Sequence, residues 1–354
     1  MPGLISTLTR PIIRRRASST WSRSASGWRR RITITSRSSS RPTAIRRTGA
    51  VEAKVTPRLP DAPEGTATVT WALDAGFARC TLVSLFSLLR TASCPVRAVF
   101  LCAGDLGDFP DRVRRIAAAF PGTEAVFLDP GPTVTDDRKH VSAATLLRLR
   151  LPEVIEGRVL YLDGDTLVRS DVAPLAFADL AGQPVGAAPD PAAVRSVASV
   201  RWHNLPWWRP GHMRFVRHLQ SLGMRRPGTY FNAGVMVLDC ARIRALGLDG
   251  AMDDAEAAGR YRLRDQDHLN VVFQDRATLV DPAWNAIWGN HRTAGPPLRR
   301  ADVDRFAASR RDPRILHFTG AGKPWTAPPE TLRVPQWARE WLDAEAALKR
   351  LETR

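Results

Sequence analysis

From about residue 66 onward, apolar positions recur along the chain with two alternating periods. Residues 68–73, 96–102 and 125–128 are short apolar runs rich in β-branched and aromatic side chains, and each predicts a strand. Between them, 80–89 and 111–120 carry apolar residues at helical spacing. Residues 142–151 predict a short helix carrying Arg148 and Arg150, which leads into strands at 158–162 and 166–168. A strand over 185–188 runs out at Asp190, and an irregular stretch rich in Trp, Pro and His follows at 201–218. Residues 230–239 predict a strand with a small-residue break at Ala233-Gly234, followed by a helix starting near Asp265 and a late strand at 314–318. After Pro335, Trp337, Trp341, Ala344, Leu348 and Leu351 mark one stripe of an amphipathic helix. There is no internal repeat.

Strands alternating with helices imply an α/β fold, with a mostly parallel sheet covered on both faces. In such sheets ligands bind beyond the carboxyl ends of the strands. Asp74 and the pair Asp163/Asp165 lie at positions of that kind.

Charge divides the 354 residues unevenly. Residues 1–60 hold 13 Arg and one Lys against the single acid Glu52, so only +4 of the formal +17 belongs to the rest of the chain. The basic character is therefore a property of the N-terminal extension, and specific nucleic-acid binding is not expected of the domain. An Arg/Ser-rich segment nearly free of acids cannot bury enough apolar surface to fold alone, so residues 1–65 are expected to be disordered. A transit peptide, a lipid- or nucleic-acid-binding arm and a downstream translation start all remain open for it. The expected organisation is this extension, a catalytic domain at 66–330 and the C-terminal helix at 331–354.

Cys80, Cys94, Cys102 and Cys240 form no C-x-x-C pair, and most sit in apolar surroundings. This favours reduced, structural thiols and a cytoplasmic compartment. No apolar run reaches the roughly 18 residues needed to span a bilayer. The terminal helix, with two tryptophans and several bases, offers at most peripheral membrane contact, with packing against the domain as its default role.

Asp163-Gly164-Asp165 stands between the apolar runs 158–162 and 166–168. Two carboxylates one residue apart on extended backbone share an edge, and the glycine between them lets the chain bend and a ligand come close. Like charges held so near repel unless a cation lies between them, and hard cations such as Mg2+ or Mn2+ prefer oxygen ligands. As an isolated triplet, Asp-Gly-Asp is also ordinary turn chemistry.

Three further segments follow in order: Phe231-Asn-Ala-Gly-Val235, Asp265-Gln-Asp-His-Leu-Asn270 and His317-Phe-Thr-Gly-Ala-Gly-Lys-Pro-Trp325. Together with residues 160–168 they resemble the family 8 retaining glycosyltransferases, the group of glycogenin and the bacterial lipopolysaccharide galactosyl- and glucosyltransferases. The resemblance covers about residues 68–326. It implies a Rossmann-like GT-A fold, a UDP-sugar donor, a hydroxyl-bearing glycan or lipid-linked acceptor, and bound Mn2+ (or Mg2+).

By that resemblance, Asp163, Asp165 and His317 are the metal ligands. Gly320 and Lys323 form a clamp for the donor diphosphate, where a glycine admits the phosphate and a lysine supplies charge. Asp74 matches the uracil-reading acid, although Gly76-Phe77 stand where the family commonly has Asn-Tyr. Arg148 matches an arginine directed at the donor. Gly164, Asn232, Ala233 and Gly234 line the donor site. Asp190, Asp265 and Gln266 match the catalytic group, with Asp190 equally readable as a turn acid before Pro191 and Asp265 as a helix cap.

Retention would ordinarily call for a carboxylate nucleophile. The matched residue is the amide Gln266, so front-face attack assisted by the departing diphosphate is favoured. Trp202, Trp207 and Trp208 mark a candidate acceptor loop, with buried loop anchors an equal alternative. The tyrosines Tyr161 and Tyr230 lie inside core motifs, which argues against self-glycosylation on tyrosine. The competing class is a catalytically silent nucleotide-sugar-binding protein of the same fold.

Overall fold

A computed structural model describes residues 58–131, 144–203, 210–294 and 298–353, with the backbone alone at 20–24, 27–31 and 201–203. The chain separates into two compact units, 1–55 and 56–354. In the first, Thr20–Ser24 and Gly27–Arg31 pair as an antiparallel ladder; the remainder of the extension up to residue 57 lies outside the described residues.

The second unit is built on a seven-stranded sheet. Its strands are β1 (Ala67–Leu73), β2 (Val96–Cys102), β3 (Thr123–Leu128), β4 (Arg158–Leu162), β6 (Val185–Pro189), β7 (Phe231–Asp239) and β8 (Ala277–Leu279). Thr166–Val168 is β5, which forms a smaller sheet with β9 (Ala286–Ile287) and β10 (Ile315–His317). The large sheet runs β8-β6-β7-β4-β1-β2-β3. All neighbours are parallel except around β7, which is antiparallel to both β4 and β6.

Strand periodicity divides the core between the two faces. Val69, Trp71, Leu73, Leu160, Leu162, Val235 and Val237 enter one apolar cluster. Ala72, Val159, Tyr161, Met236 and Leu238 enter the other. The first face is covered by α1 (Ala78–Leu89), α2 (Phe109–Ala118) and the terminal helix α7 (Pro335–Glu352). The second takes α5 (Arg264–Val272) and short helical segments, among them Ala144–Leu147 and Cys240–Ala245.

Two readings from sequence change. Residues 142–151 are not one helix: an α-turn at Ala144–Leu147 passes into a 3-10 turn at Arg148–Arg150 and then into Leu151–Val154, while 142–143 lie outside the described residues. Of the stretch 201–218, 201–203 close α3 (Pro191–His203) and 210–218 open α4 (Pro210–Ser221), while 204–209 lie outside the described residues. Prolines suggested irregularity there, but Pro210 stands at a helix start, where the missing amide costs nothing. The side chains of Trp202, Trp207 and Trp208 lie outside the described residues.

The terminal helix α7 takes its default role, with its apolar stripe spent on packing. Trp341 and Leu348 are buried, Trp337 covers Gly289, and Glu345 and Glu352 pair with Arg79 on α1 and Arg112 on α2. Among the described residues no helix is long and apolar enough to cross a membrane.

Candidate functional site

The strands deliver the polar residues to one edge of the sheet. Beyond β4 comes Asp163-Gly164-Asp165, beyond β6 Asp190, and beyond β10 the loop from His317 onward. The antiparallel strand β7 contributes its beginning rather than its end, so Asn232, Ala233 and Gly234 face the same cleft. The N-terminal turn of α5 adds Asp265 and Gln266. Arg264, the first residue of α5, holds φ 48°, a left-handed conformation that costs a side-chain-bearing residue about 1–3 kcal/mol.

The acidic turn is fixed on every side. Asp163 N donates to Gly234 O at 2.8 Å and Phe318 N to Asp165 O at 3.0 Å, tying it to β7 and β10. Thr166 Oγ1 donates to Asp163 O at 2.8 Å, and the same hydroxyl meets Ser84 Oγ of α1 at 2.8 Å. Gly164 packs on α1: a β-carbon there would lie 2.4 Å from Thr81 Oγ1.

Ligand atoms of Asp163, Asp165 and His317 all lie within 4.8 Å of one another. His317 Nε2 is 3.1 Å from Asp165 Oδ1 and 3.5 Å from Asp163 Oδ2. Gly234 forms the floor of this cradle, since a β-carbon on it would come within 2.1 Å of His317 Cε1 and 2.6 Å of Asp163 Oδ2. Burial pushes the Asp165 carboxyl up, yet the imidazole of His317 and the ammonium of Lys323 outweigh it and hold the group well below the usual carboxylate range. Two carboxylates and one imidazole suit a divalent cation such as Mn2+ or Mg2+, and the set fits one.

The orientation of His317 traces back to a backbone amide. Gly234 N donates to Asn232 Oδ1 at 3.0 Å, so that atom is the amide oxygen. Asn285 Nδ2 then donates to it at 2.9 Å, which turns Asn285 Oδ1 toward His317 Nδ1 at 2.9 Å. His317 therefore donates through Nδ1 and presents Nε2 to the carboxylates, the arrangement that holds a metal-ligating imidazole in one tautomer. In the other direction Asn232 Nδ2 donates to Gln266 Oε1 at 2.7 Å. Gln266 Nε2 faces Tyr230 Oη at 3.2 Å and Asp190 Oδ2 at 3.4 Å, and Tyr230 Oη donates to Asp267 Oδ1 at 2.6 Å.

Arg148 is buried behind the carboxylates. Its Nη2 lies 2.7 Å from Asp163 Oδ1 and its Nε 3.2 Å from Asp265 Oδ2, while Nη1 donates to Ala233 O at 2.9 Å and the guanidinium covers the Tyr161 ring. Burial works against its charge, but Asp163, Tyr161 and Asp265 more than compensate. Burial raises Asp265 to about 6, with Arg148 opposing. Asp190 is raised by burial against the pull of the Ala193 and Ala192 amides, which donate to its Oδ1 at 3.0 and 2.8 Å. It thus caps α3 with one oxygen and keeps the other at the cleft.

Lys323 reaches back to Asp165 and donates to Phe318 O at 2.6 Å. Gly320, with φ 88°, makes the turn that allows this return. Asp74 lies at the end of β1, with its Oδ1 accepting from Gly76 N at 2.9 Å and Phe77 N at 3.3 Å, and it is not part of the cleft wall. The cleft itself, about 310 Å³, is lined by Asp163, Asp165, Asp190, Asp265, Gln266 and His317 among others. Sequence reasoning did not single out Asn285, Asp267, Arg292 or the hydroxyl of Tyr230. Asn285 left a faint signal as the one amide inside the apolar run 282–288; Arg292 left none.

The glycosyl transferase family 8 model matches residues 68–328. General stress protein A of Bacillus subtilis is 26% identical over 267 residues, covering 72% of this chain and 85% of that protein. Probable galacturonosyltransferase-like 7 of Arabidopsis thaliana is 26% identical over 267 residues, covering 72% of this chain and 68% of that protein. Among solved structures, the bifunctional glycosyltransferase WbbM in its apo form superposes with a TM-score of 0.66 at 23% identity, over 84% of this chain, which spans only 53% of WbbM. The galactosyltransferase LgtC, solved with donor and acceptor sugar analogs, gives 0.59 at 22% identity over 79% of this chain and 95% of its own. Both carry the same GT-A architecture as the sheet described above. With the family match spanning the sheet and every residue of the cleft, the chain belongs to glycosyl transferase family 8 and is a glycosyltransferase.

Proposed function

We propose that the protein transfers a hexose, glucose or galactose, from a UDP-sugar to a hydroxyl of a glycan, lipid-linked or other acceptor, with Mn2+ held by Asp163, Asp165 and His317 and with retention at the anomeric carbon. The observation that carries this reading is the convergence of those three ligands on one point of a cleft that also contains Asp190 and Gln266. A divalent ion bound there supplies positive charge against the diphosphate leaving group.

The protein's own residues do the rest. Lys323, which neutralises Asp165 in this structure, would offer its ammonium to the diphosphate if a cation were held by that carboxylate. Asn232, Ala233 and Gly234 leave room for the sugar ring because their side chains are short. Gln266 is fixed by Asn232 and Tyr230, and its amide is a poor nucleophile. Asp265 is committed to Arg148, so neither group stands as a ready nucleophile behind the sugar. This supports front-face attack, with Gln266 and Asp190 stabilising positive charge that develops on the sugar. Asp74, at the end of β1, is the acid this reading assigns to the uracil.

The test is release of UDP from UDP-glucose and UDP-galactose, assayed with Mn2+, with Mg2+ and with a chelator. Metal-dependent release that Asp165→Asn abolishes is expected. Release insensitive to the chelator, or none from any UDP-sugar, would overturn the reading.

A further inference from the structure

Beside the metal cleft lies a second cavity of about 670 Å³. The two share Asp190, Leu263, Gln266 and Arg292, so a molecule in the second cavity meets the reaction centre across Asp190 and Gln266. Its described lining is lopsided in charge: Arg195, Arg262 and Arg292, with two histidines, stand against Asp190 as the one carboxylate among the described lining residues. One oxygen of Asp190 is already taken by the Ala192 and Ala193 amides. Arg195 is anchored through Ala294 O at 2.9 Å. Arg262 and Arg292 enter no salt bridge among the described residues, although Arg292 acts on Asp190 through space.

Guanidinium groups gathered in a concavity repel one another and contribute nothing to folding by doing so; such a site focuses a positive potential instead. Their planar forks match carboxylate and phosphate oxygens. Leu263, 37% exposed and so among the most exposed large apolar side chains described, together with Phe215 supplies the apolar face on which a sugar ring can lie.

We propose that this cavity receives the acceptor and that the acceptor is an acidic saccharide, carrying a carboxylate or phosphate close to the hydroxyl that is glycosylated. The inference rests on the donor reading above. In the transfer the acceptor oxygen bonds to the anomeric carbon, the bond from that carbon to the diphosphate breaks, and the hydroxyl proton leaves with the diphosphate oxygen.

The test measures binding of three probes to the full chain loaded with Mn2+ and UDP: methyl glucoside, methyl glucuronide, and methyl glucoside 6-phosphate. At least one anionic probe is expected to bind about tenfold tighter than the neutral one, the scale of a charge-assisted hydrogen bond on a partly exposed site. The advantage should shrink at high salt, disappear in Arg262→Gln and survive in Arg262→Lys. Gain by the glucuronide alone assigns an acceptor of the uronic acid type, and gain by the phosphate alone a phosphorylated one. Hydrolysis of the UDP-sugar by the unsubstituted chain reports on the donor reading separately. Equal binding of all three probes, no binding by any, or an anionic advantage that persists in Arg262→Gln would overturn the proposal even where hydrolysis is intact.

Discussion

Asn285 Oδ1 accepts the Nδ1 proton of His317 at 2.9 Å, and the direction of that bond is dictated by the Gly234 amide two links away. The buried amide decides which ring nitrogen faces Asp163 and Asp165. Replacing Asn285 with Leu keeps the bulk and removes the acceptor, so the imidazole is free to turn. We expect Mn2+ affinity to fall about 10–100-fold with little change in the folded spectrum. Calorimetric titration of the metal into wild type and variant checks this, and equal affinities would remove Asn285 from the account.

Gly234 has no room for a methyl group. A β-carbon there would sit 2.1 Å from His317 Cε1, and both that ring and Asp163 would have to move. Gly234→Ala is therefore expected to abolish metal binding and to lower transfer by more than about 100-fold, at a stability cost of about 1–3 kcal/mol from overpacking. Thermal unfolding read alongside Mn2+ titration separates the two effects. A variant that still binds Mn2+ as tightly as wild type would show that the cradle tolerates more than its geometry suggests.

Asp265 gives a signed dependence on pH. Burial lifts it to about 6 in the folded protein from an ordinary value near 4, so the native state holds a proton that the unfolded chain has already released across that window. Its contribution to stability is fully present below about pH 4 and is lost as pH rises through about 6. In Asp265→Asn that decline is absent. Denaturant unfolding at pH 4.5 and 7 should therefore show the variant gaining on wild type toward pH 7. A difference between the two that stays constant with pH would sink the assignment.

The terminal helix belongs to the catalytic fold. Trp341 is fully buried, Trp337 lies over Gly289, and Arg112 meets Glu352 in a two-pronged pair at 2.7 and 2.9 Å. Trp341→Ala should cost about 3–5 kcal/mol, the range for deleting a buried aromatic. A chain ending at residue 334 should unfold at markedly lower denaturant concentration than the full protein. Unchanged unfolding of the truncated chain would mean that α7 is dispensable.

Much of this was readable in one dimension. The apolar runs at 68–73, 96–102, 158–162 and 230–239 fixed strands within a residue or two of their observed ends, because side-chain alternation is a property of each segment alone. The stretch 201–218 misled because Pro210 was counted toward an irregular loop, whereas a proline in the first turn of a helix starts it. Lys323 was read toward a diphosphate, and in this structure it rests on Asp165, an arrangement that depends on where the Gly320 turn folds back.

The sequence by itself determined which side chains carry charge and which runs form strands, and so it placed Asp163, Asp165 and Asp190 at strand ends. Only the tertiary structure decided that β7 runs antiparallel and brings its beginning, with Gly234, under His317, and that Asn285 orients that histidine from 32 residues away. It also decided that Arg195, Arg262 and Arg292 share one cavity. Periodicity is local and leaves its mark on every few residues. A contact between distant segments depends on strand order and direction, which the spacing of side chains along the chain does not encode.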